Sequence, residues 1–238
     1  MSLTDALLGP VRRGPGSARP LVTFYDDATG ERIELSGVTT ANWAAKAANL
    51  LRDECDLEPG GRVAVLLPAH WQTAAVLLAA WSCGAGVVAD PAGADVVVCD
   101  AERLDLALAA EARAVVALSL DAFGKGLDGL PAGVVDFATE VRLHGDEFVP
   151  WDPVPGSAPA LDGETVDRVL DAARIRAEAL GIGAGDRVLS TLDWADRLVD
   201  GLLAPLAAGA SLVQVRNADP ARLDRKAESE KVTVRLTP

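Results

Sequence analysis

The sequence predicts an α/β protein built as two pseudo-symmetric lobes, each a mostly parallel sheet flanked by helices. Three observations carry that prediction. An amphipathic helix, a short apolar strand, an apolar helix and a second strand follow one another with only short turns between them, an order that favours parallel strands joined by helical crossovers. That order occurs twice along the 238 residues. Laid side by side without a gap, residues 57–88 and 182–213 agree at 10 of 32 positions, at a constant offset of 125. The glycine boundaries Gly60/Gly185 and Gly84/Gly209 fall in step with Leu77, Leu78 and Ala79 against Leu202, Leu203 and Ala204, so the later stretch reads as a duplicate of the earlier one.

The elements follow in order. The opening MSLTDALLGPVRRGPGSARP lacks the continuous apolar segment of a secretory signal, and its Pro, Gly and Arg content reads as an extended arm or ordered loop. Thr39 and Thr40 offer a helix cap, after which Trp43, Ala47, Leu50 and Leu51 share one helical stripe. LEPGG is a turn, RVAVLL a buried-type strand closed by Pro68, TAAVLLAAWSC an apolar helix stopped at Gly84, and AGVVA the next strand. DPAGADVVV then passes from strand to strand with no room for a helix. DVVVCD, AVVAL and GVVDF are further strands, with ERLDLALAAEA as a helix among them. The Pro- and Gly-rich FVPWDPVPGSAPALDG reads as a linker. The division is therefore residues 1–150 as a first lobe with an amino-terminal arm, 151–163 as linker, and 164–238 as a second, incomplete lobe.

In the second copy, Thr165 stands opposite Thr40, and Val166, Val169, Leu170, Ala173 and Ala177 form the inner face of a helix. GIGAGD is the turn, RVLSTL the strand, RLVDGLLAPLAA the helix and GASLVQV the next strand. Pro205 lies inside that helix, where the missing N–H predicts a kink. A short charged helix, ARLDRKAESE, and a strand, VTVRL, complete the chain.

Composition narrows the function. Half the residues are apolar, enough for a sizeable core, and the net charge is -13, which argues against a nucleic-acid backbone or an anionic membrane as partner. The partners expected are a second copy of the chain or another protein with a neutral or basic surface. Cys55, Cys83 and Cys99 share no metal-like spacing with His70 and His144, so no metal site is expected and a cytoplasmic, reducing location is. The stretch 63–89 carries no charged residue, but Pro68, Gly84 and Gly86 divide it into strand, loop, helix and strand rather than a membrane span.

Two lobes that each open with a capped helix, a G-[DG]-R-V turn and strand, and an apolar helix ending in G-A resemble the amino-terminal half of the adenylate-forming, AMP-binding superfamily, which includes acyl-CoA synthetases, fatty-acyl-AMP ligases and luciferases. The carrying phrases are TTANWAAKAANLLRDECDLEPGGRVAVLLPAHWQTAAVLLAAWSCGAGVV and GIGAGDRVLSTLDWADRLVDGLLAPLAAGASLVQV. The resemblance implies the amino-terminal fold of acyl-CoA synthetases and ATP-dependent activation of a carboxylate. It also implies a Gly- and Ser/Thr-rich phosphate loop of the form [ST]-S-G-[ST]-T-G-x-P-K just before the second-lobe helix. Here PGSAPALDGETV occupies that place. Gly156, Ser157, Gly163 and Thr165 are its remaining flexible or hydroxylated positions, whereas Pro155 and Pro159 lack amide donors and no lysine falls between Lys125 and Lys226. TLDWAD, where the family has a histidine-containing element, holds Asp193 and Trp194 but no histidine. The chain ends before the later adenosine- and ribose-binding motifs implied by the family, so no residue is assigned as catalytic.

The remaining candidates have simpler readings. FGKGLDGLP around Lys125 lacks phosphate-loop spacing and reads as a surface turn. His70 follows a strand end and reads as a packed histidine. Trp151 and Trp194, with Asp193, flank the expected cleft as pocket residues, and the other tryptophans read as core or interface. Arg62 and Arg187 pair with their neighbours Glu58 and Asp186, and Asp100, Glu102 and Asp105 mark a helix start. The function expected is a non-catalytic, degenerate acyl-CoA synthetase-like domain with a binding, regulatory or assembly role. No cofactor is expected, and ATP or AMP with Mg only if nucleotide binding survives. The alternative is one half of an acyl-adenylate-forming enzyme that needs a partner chain.

Overall fold

The computed structural model describes residues 1–13 and 17–238. The chain forms two compact units, the first from Met1–Asp5, Ala41–Leu67 and Gln72–Val169, the second from Ala6–Thr40, Pro68–Trp71 and Leu170–Pro238.

The elements run α1 (Leu3–Arg13), β1 (Pro20–Asp26), β2 (Glu31–Ser36), α2 (Gly37–Asp53), β3 (Arg62–Leu66), α3 (Trp71–Ser82), β4 (Gly86–Val88), β5 (Val96–Asp100), α4 (Leu104–Ala109), β6 (Ala114–Leu118), β7 (Val134–Asp136) and α5 (Phe137–Glu140). Then come β8 (Pro159–Leu161), β9 (Glu164–Thr165), α6 (Val166–Ala179), β10 (Arg187–Ser190), α7 (Trp194–Leu198), α8 (Ala204–Ala207), β11 (Ser211–Arg216), α9 (Pro220–Ser229) and β12 (Val234–Leu236). The first unit holds a sheet in the order β7-β6-β5-β3-β4-β8-β9, the second a sheet in the order β12-β10-β11-β1-β2. All pairs are parallel except the hairpins β8/β9 and β1/β2.

In the first unit, Val63, Ala64, Val96, Val97, Val98 and Cys99 are wholly buried, the near-continuous apolar strands of a parallel sheet covered on both faces. Every residue of α3 from Ala74 to Trp81 is buried too, as a helix apolar on all sides must be. The indole N–H of Trp81 is satisfied by the Ala160 carbonyl at 2.7 Å. The charge-free stretch is thus strand, helix and strand, and no helix among the described residues is long and apolar enough to cross a membrane.

The same turn recurs in both units. Gly60 and Gly185 each have φ 85°, Gly84 and Gly209 have φ 75° and 74°, and the N–H of the first glycine reaches the carbonyl of the second at 2.9 and 3.2 Å. Left-handed backbone at these positions favours glycine. Arg62 sits opposite Gly86 in one sheet and Arg187 opposite Ser211 in the other, again 125 residues apart. The helices differ. α3 is regular, whereas its counterpart passes through a π turn at Val199–Leu203, with the Ala204 N–H bonded to the Val199 carbonyl. The predicted kink takes this form: the wider turn comes just before Pro205, which has no N–H to give.

Four expectations change. The amino terminus forms a helix rather than an arm, because Ser2 caps it: its Oγ accepts the Asp5 N–H at 3.1 Å and donates to the Asp5 carboxylate at 2.9 Å, ahead of the buried Leu3, Leu7 and Leu8. Residues 14–16 of that stretch lie outside the described residues. Helix α2 starts earlier than Thr39, with Ser36 Oγ accepting the Thr39 N–H at 3.1 Å. The division at 151–163 gives way to discontinuous units: residues 159–165 add β8 and β9 to the first sheet, and β1 pairs with β11, Val22 opposite Leu212. Residues 144–149 are fastened to α2 by Lys46, Asn49 and Arg52, which bond the carbonyls of His144, Gly145, Glu147 and Val149. Finally, Arg187 pairs with Glu230, not Asp186, whose carboxylate instead takes the Gly183 N–H at 2.7 Å and the Thr233 hydroxyl at 2.8 Å. Arg62 forms no pair with Glu58; its N–H donates to Asp95 at 2.8 Å.

Candidate functional site

The segment occupying the phosphate-loop position is a closed hairpin. Asp162 and Gly163 both have positive φ, 47° and 86°, the turn that matches the twist of two antiparallel strands. Four amides in and beside the segment are already bonded. Ala158 N–H donates to Pro155 O, Val166 N–H to Ala158 O and Asp167 N–H to Gly156 O, all at 2.9 to 3.0 Å, while Asp162 N–H reaches Val87 O at 2.9 Å. Thr165 Oγ1 accepts the Arg168 N–H at 3.4 Å and so caps α6. A Cβ at Gly156 would collide with the Asp167 carboxylate, so this glycine's bare backbone is matched to an anionic side chain. Ser157 is exposed beside it. An anion here would meet Asp162, Glu164 and Asp167 with no lysine in the segment, which is repulsive at short range.

The three pocket candidates fall in different units. Trp151 belongs to the first, where it is 64% exposed and Arg52 lies 6.0 Å from its ring and 4.9 Å from that of Phe148. Asp193 and Trp194 belong to the second. Asp193 caps α7 by accepting the Ala195 N–H at 3.1 Å, and Trp194 is buried, with its indole so close to Gly201 that a Cβ there would stand 2.9 Å from it. Lys125 lies on an exposed turn closed by Asp121, which accepts the Phe123 and Lys125 N–H groups. Asp100 caps the turn that follows it through the Arg103 N–H at 3.0 Å. Among the described residues no cluster of three or more His, Cys, Asp or Glu side chains is placed to hold a metal ion.

Two buried polar clusters of the second unit were not legible in the sequence. His70 is 1% exposed, edge-on to Phe24 at 4.4 Å, with Nε2 3.6 Å from Glu31 Oε1. Burial pushes its pKa down against the opposing pull of Glu31. Glu230 gathers the Tyr25 hydroxyl at 2.6 Å, Arg32 at 2.9 Å and Arg187. Burial alone would raise this carboxyl, but those donors bring it down to about 2. Arg187 also donates to Thr23 at 2.9 Å, which ties β10, β1, β2 and the residue after α9 into one ionic knot. The partners lie far apart in the chain, so no local spacing reveals them.

No family model matches the chain. It is 56% identical over 239 residues to a "TIGR03089 family protein" of Mycobacterium tuberculosis (strain ATCC 25618 / H37Rv), covering 98% of this chain and 97% of that one. Among solved structures it resembles an acyl-CoA synthetase of Brucella canis, with a TM-score of 0.79 at 20% identity over 99% of this chain and 47% of the other. It also resembles the acetoacetyl-CoA synthetase of Streptomyces lividans, with a TM-score of 0.78 at 19% identity over 99% of this chain and 42% of the other. A fatty acyl CoA synthetase of Mycobacterium tuberculosis gives a TM-score of 0.75 at 17% identity, over 98% and 48%. The chain thus spans about half the length of the solved structures it matches, and it has the fold of the part matched.

Proposed function

Since the chain belongs to the TIGR03089 family and has the amino-terminal fold of acyl-CoA synthetases, we propose that it is a non-catalytic member of that architecture, kept for binding, regulation or assembly. The observation that carries the reading is the hairpin at 155–166. A phosphate loop works by presenting unclaimed backbone amides and a cation to an oxyanion. Here the Ala158, Asp162, Val166 and Asp167 amides are already claimed, Pro155 and Pro159 have none, and the nearby carboxylates Asp162, Glu164 and Asp167 outnumber Arg168, which is itself paired with Glu164 at 3.1 Å. Stabilising the charge that develops on a transferred phosphoryl group needs the opposite arrangement.

The test is calorimetric titration of the purified protein with ATP and Mg, together with pyrophosphate exchange over a panel of carboxylates. The reading expects neither heat at micromolar concentrations nor exchange. Sustained ATP- and Mg-dependent turnover by the protein alone would overturn it. Turnover only after a second purified chain is added would replace it with the partner-dependent enzyme. With a net charge of -13, the partner surface the reading calls for is neutral or basic, or a second copy with its own charges paired.

A further inference from the structure

The first unit carries a ribbon of exposed apolar side chains. Phe123, Leu143, Val149 and Trp151 are 93%, 77%, 73% and 64% exposed. Single hydrophobics scattered over a surface need no explanation, but these share a backbone that is fastened along its length. Asp121 accepts the Phe123 and Lys125 N–H groups at 2.9 and 3.1 Å. Arg142 donates to the Gly124 carbonyl at 2.5 Å, which ties the Phe123 turn to the helical turn that carries Leu143. From there residues 144–149 are held to α2 by Lys46, Asn49 and Arg52. Arg52 donates to the Val149 carbonyl at 3.0 Å, and its guanidinium lies 4.9 and 6.0 Å from the ring centres of Phe148 and Trp151.

Charge decides what such a surface fits. Between residues 121 and 152 stand seven carboxylates against Lys125 and Arg142. On α2, Lys46 is already paired with Asp146 and Arg52 with Asp53. Glu147 and Asp152, on either side of the Val149–Trp151 stretch, are exposed and form no ion pair among the described residues. A second copy docked through the same patch would set these carboxylates against their own counterparts, and an anionic membrane would repel them. A fastened backbone that holds aromatic side chains in water has already met part of the ordering cost of an interface, and aromatic residues are enriched in interfaces.

We propose that this ribbon is a docking surface for a basic amphipathic helix of a protein partner, the form that presents an apolar stripe with cations along its sides. Its apolar stripe covers Leu143, Val149 and Trp151, Phe123 packs at one end, and its Lys and Arg side chains answer Glu147 and Asp152. The surface supplies the partner side of the binding role proposed above and rests on that reading. It shares no residue with the 155–166 hairpin, so the ATP titration and the titration below fail separately.

The probe is a synthetic helix of about 18 residues, about five turns, built of Leu and Lys with its leucines on one face. It is compared with a scrambled peptide of the same composition and with a Leu/Glu version, each titrated into the full chain and followed by calorimetry and amide resonances. The Leu/Lys helix is expected to bind at micromolar concentrations, at least about tenfold more tightly than the scrambled peptide, with shifts gathered at residues 121–126 and 142–152. The Leu/Glu helix is expected not to bind. Trp151→Ala should weaken the Leu/Lys helix about tenfold or more. Phe123→Ser, at a side chain that touches almost nothing of its own chain, should weaken it about threefold or more and carries the test if Trp151→Ala fails to fold. Ile175→Ser, at a side chain 65% exposed in the second unit, should change nothing. No binding at about 1 mM, equal binding by the native chain and both ribbon variants, or equal weakening by Ile175→Ser would overturn the proposal. So would a dimer in light scattering that Trp151→Ala dissociates, which gives the surface to a second copy, or binding to phosphatidylcholine vesicles that Trp151→Ala abolishes, which gives it to a membrane.

Discussion

Replacing Glu230 by Gln tests the ionic knot of the second unit. The carboxyl sits at about 2 against an ordinary 4.5. At about 1.4 kcal/mol per tenfold in proton affinity, that difference is worth about 3 kcal/mol at neutral pH. Arg32 is 45% exposed, so solvent screening brings the figure nearer to about 2 kcal/mol. Glu230→Gln also leaves Arg187, 15% exposed, without a counter-charge, so the total loss at pH 7 is expected at about 2 to 4 kcal/mol. The sign of the pH dependence follows from the lowered carboxyl. Its contribution is complete above 4.5, the unfolded value, and disappears as pH falls through about 2. Urea denaturation of both proteins at pH 7, 5, 3.5 and 2.5 gives the test. The native chain's advantage over Glu230→Gln should hold to pH 5 and shrink steadily below it, because the other carboxylates titrate alike in both. A difference that stays constant over that range, or grows on acidification, refutes the reasoning. Tyr25→Phe, which removes the 2.6 Å donor, should make the shrinkage smaller and complete at a higher pH, with its onset still near 4.5.

Three further outcomes are expected. Gly201→Ala places a methyl group against the buried Trp194 indole and should cost about 1 to 3 kcal/mol by denaturant midpoint, with a change in the emission of that tryptophan. Trp81→Phe loses the bond to Ala160 that fastens β8 and should cost about 1 kcal/mol or more, with faster amide exchange at residues 159–165 than elsewhere in the first sheet. Burial pushes the Cys55 and Cys83 thiols up to about 12 and Cys99 up to about 11, so a thiol-disulfide reagent at pH 8 should label the native chain at least roughly a hundredfold more slowly than the urea-unfolded chain.

The helices and strands with a strong period were legible without coordinates, and for a definite reason. The burial of α3 on every side follows from a charge-free apolar run, and residues 96–99 and 115–118 are buried because all of them are apolar. The amino-terminal helix over Leu3–Arg13 was not read, because the prolines, glycines and arginines that follow Ser2 and Asp5 pointed to an arm. Of the candidate site, the poverty of the 155–166 segment as a phosphate loop could be read from its prolines and carboxylates. That the segment is a strand of the first sheet could not, since β8 is held by β4 more than 70 residues earlier.

Residue type and local spacing therefore determined the α/β class, the recurring Gly60 and Gly185 turns and the lack of a lysine in the 155–166 segment. Each of these depends on interactions within a few residues of chain. Tertiary structure alone decided that β1 joins β11, that Arg187 answers to Glu230 rather than to its neighbour, and that α2 fastens residues 144–149. Those pairings close long loops, and the free energy that selects them comes from burial and charge neutralisation between distant segments, which no local pattern encodes.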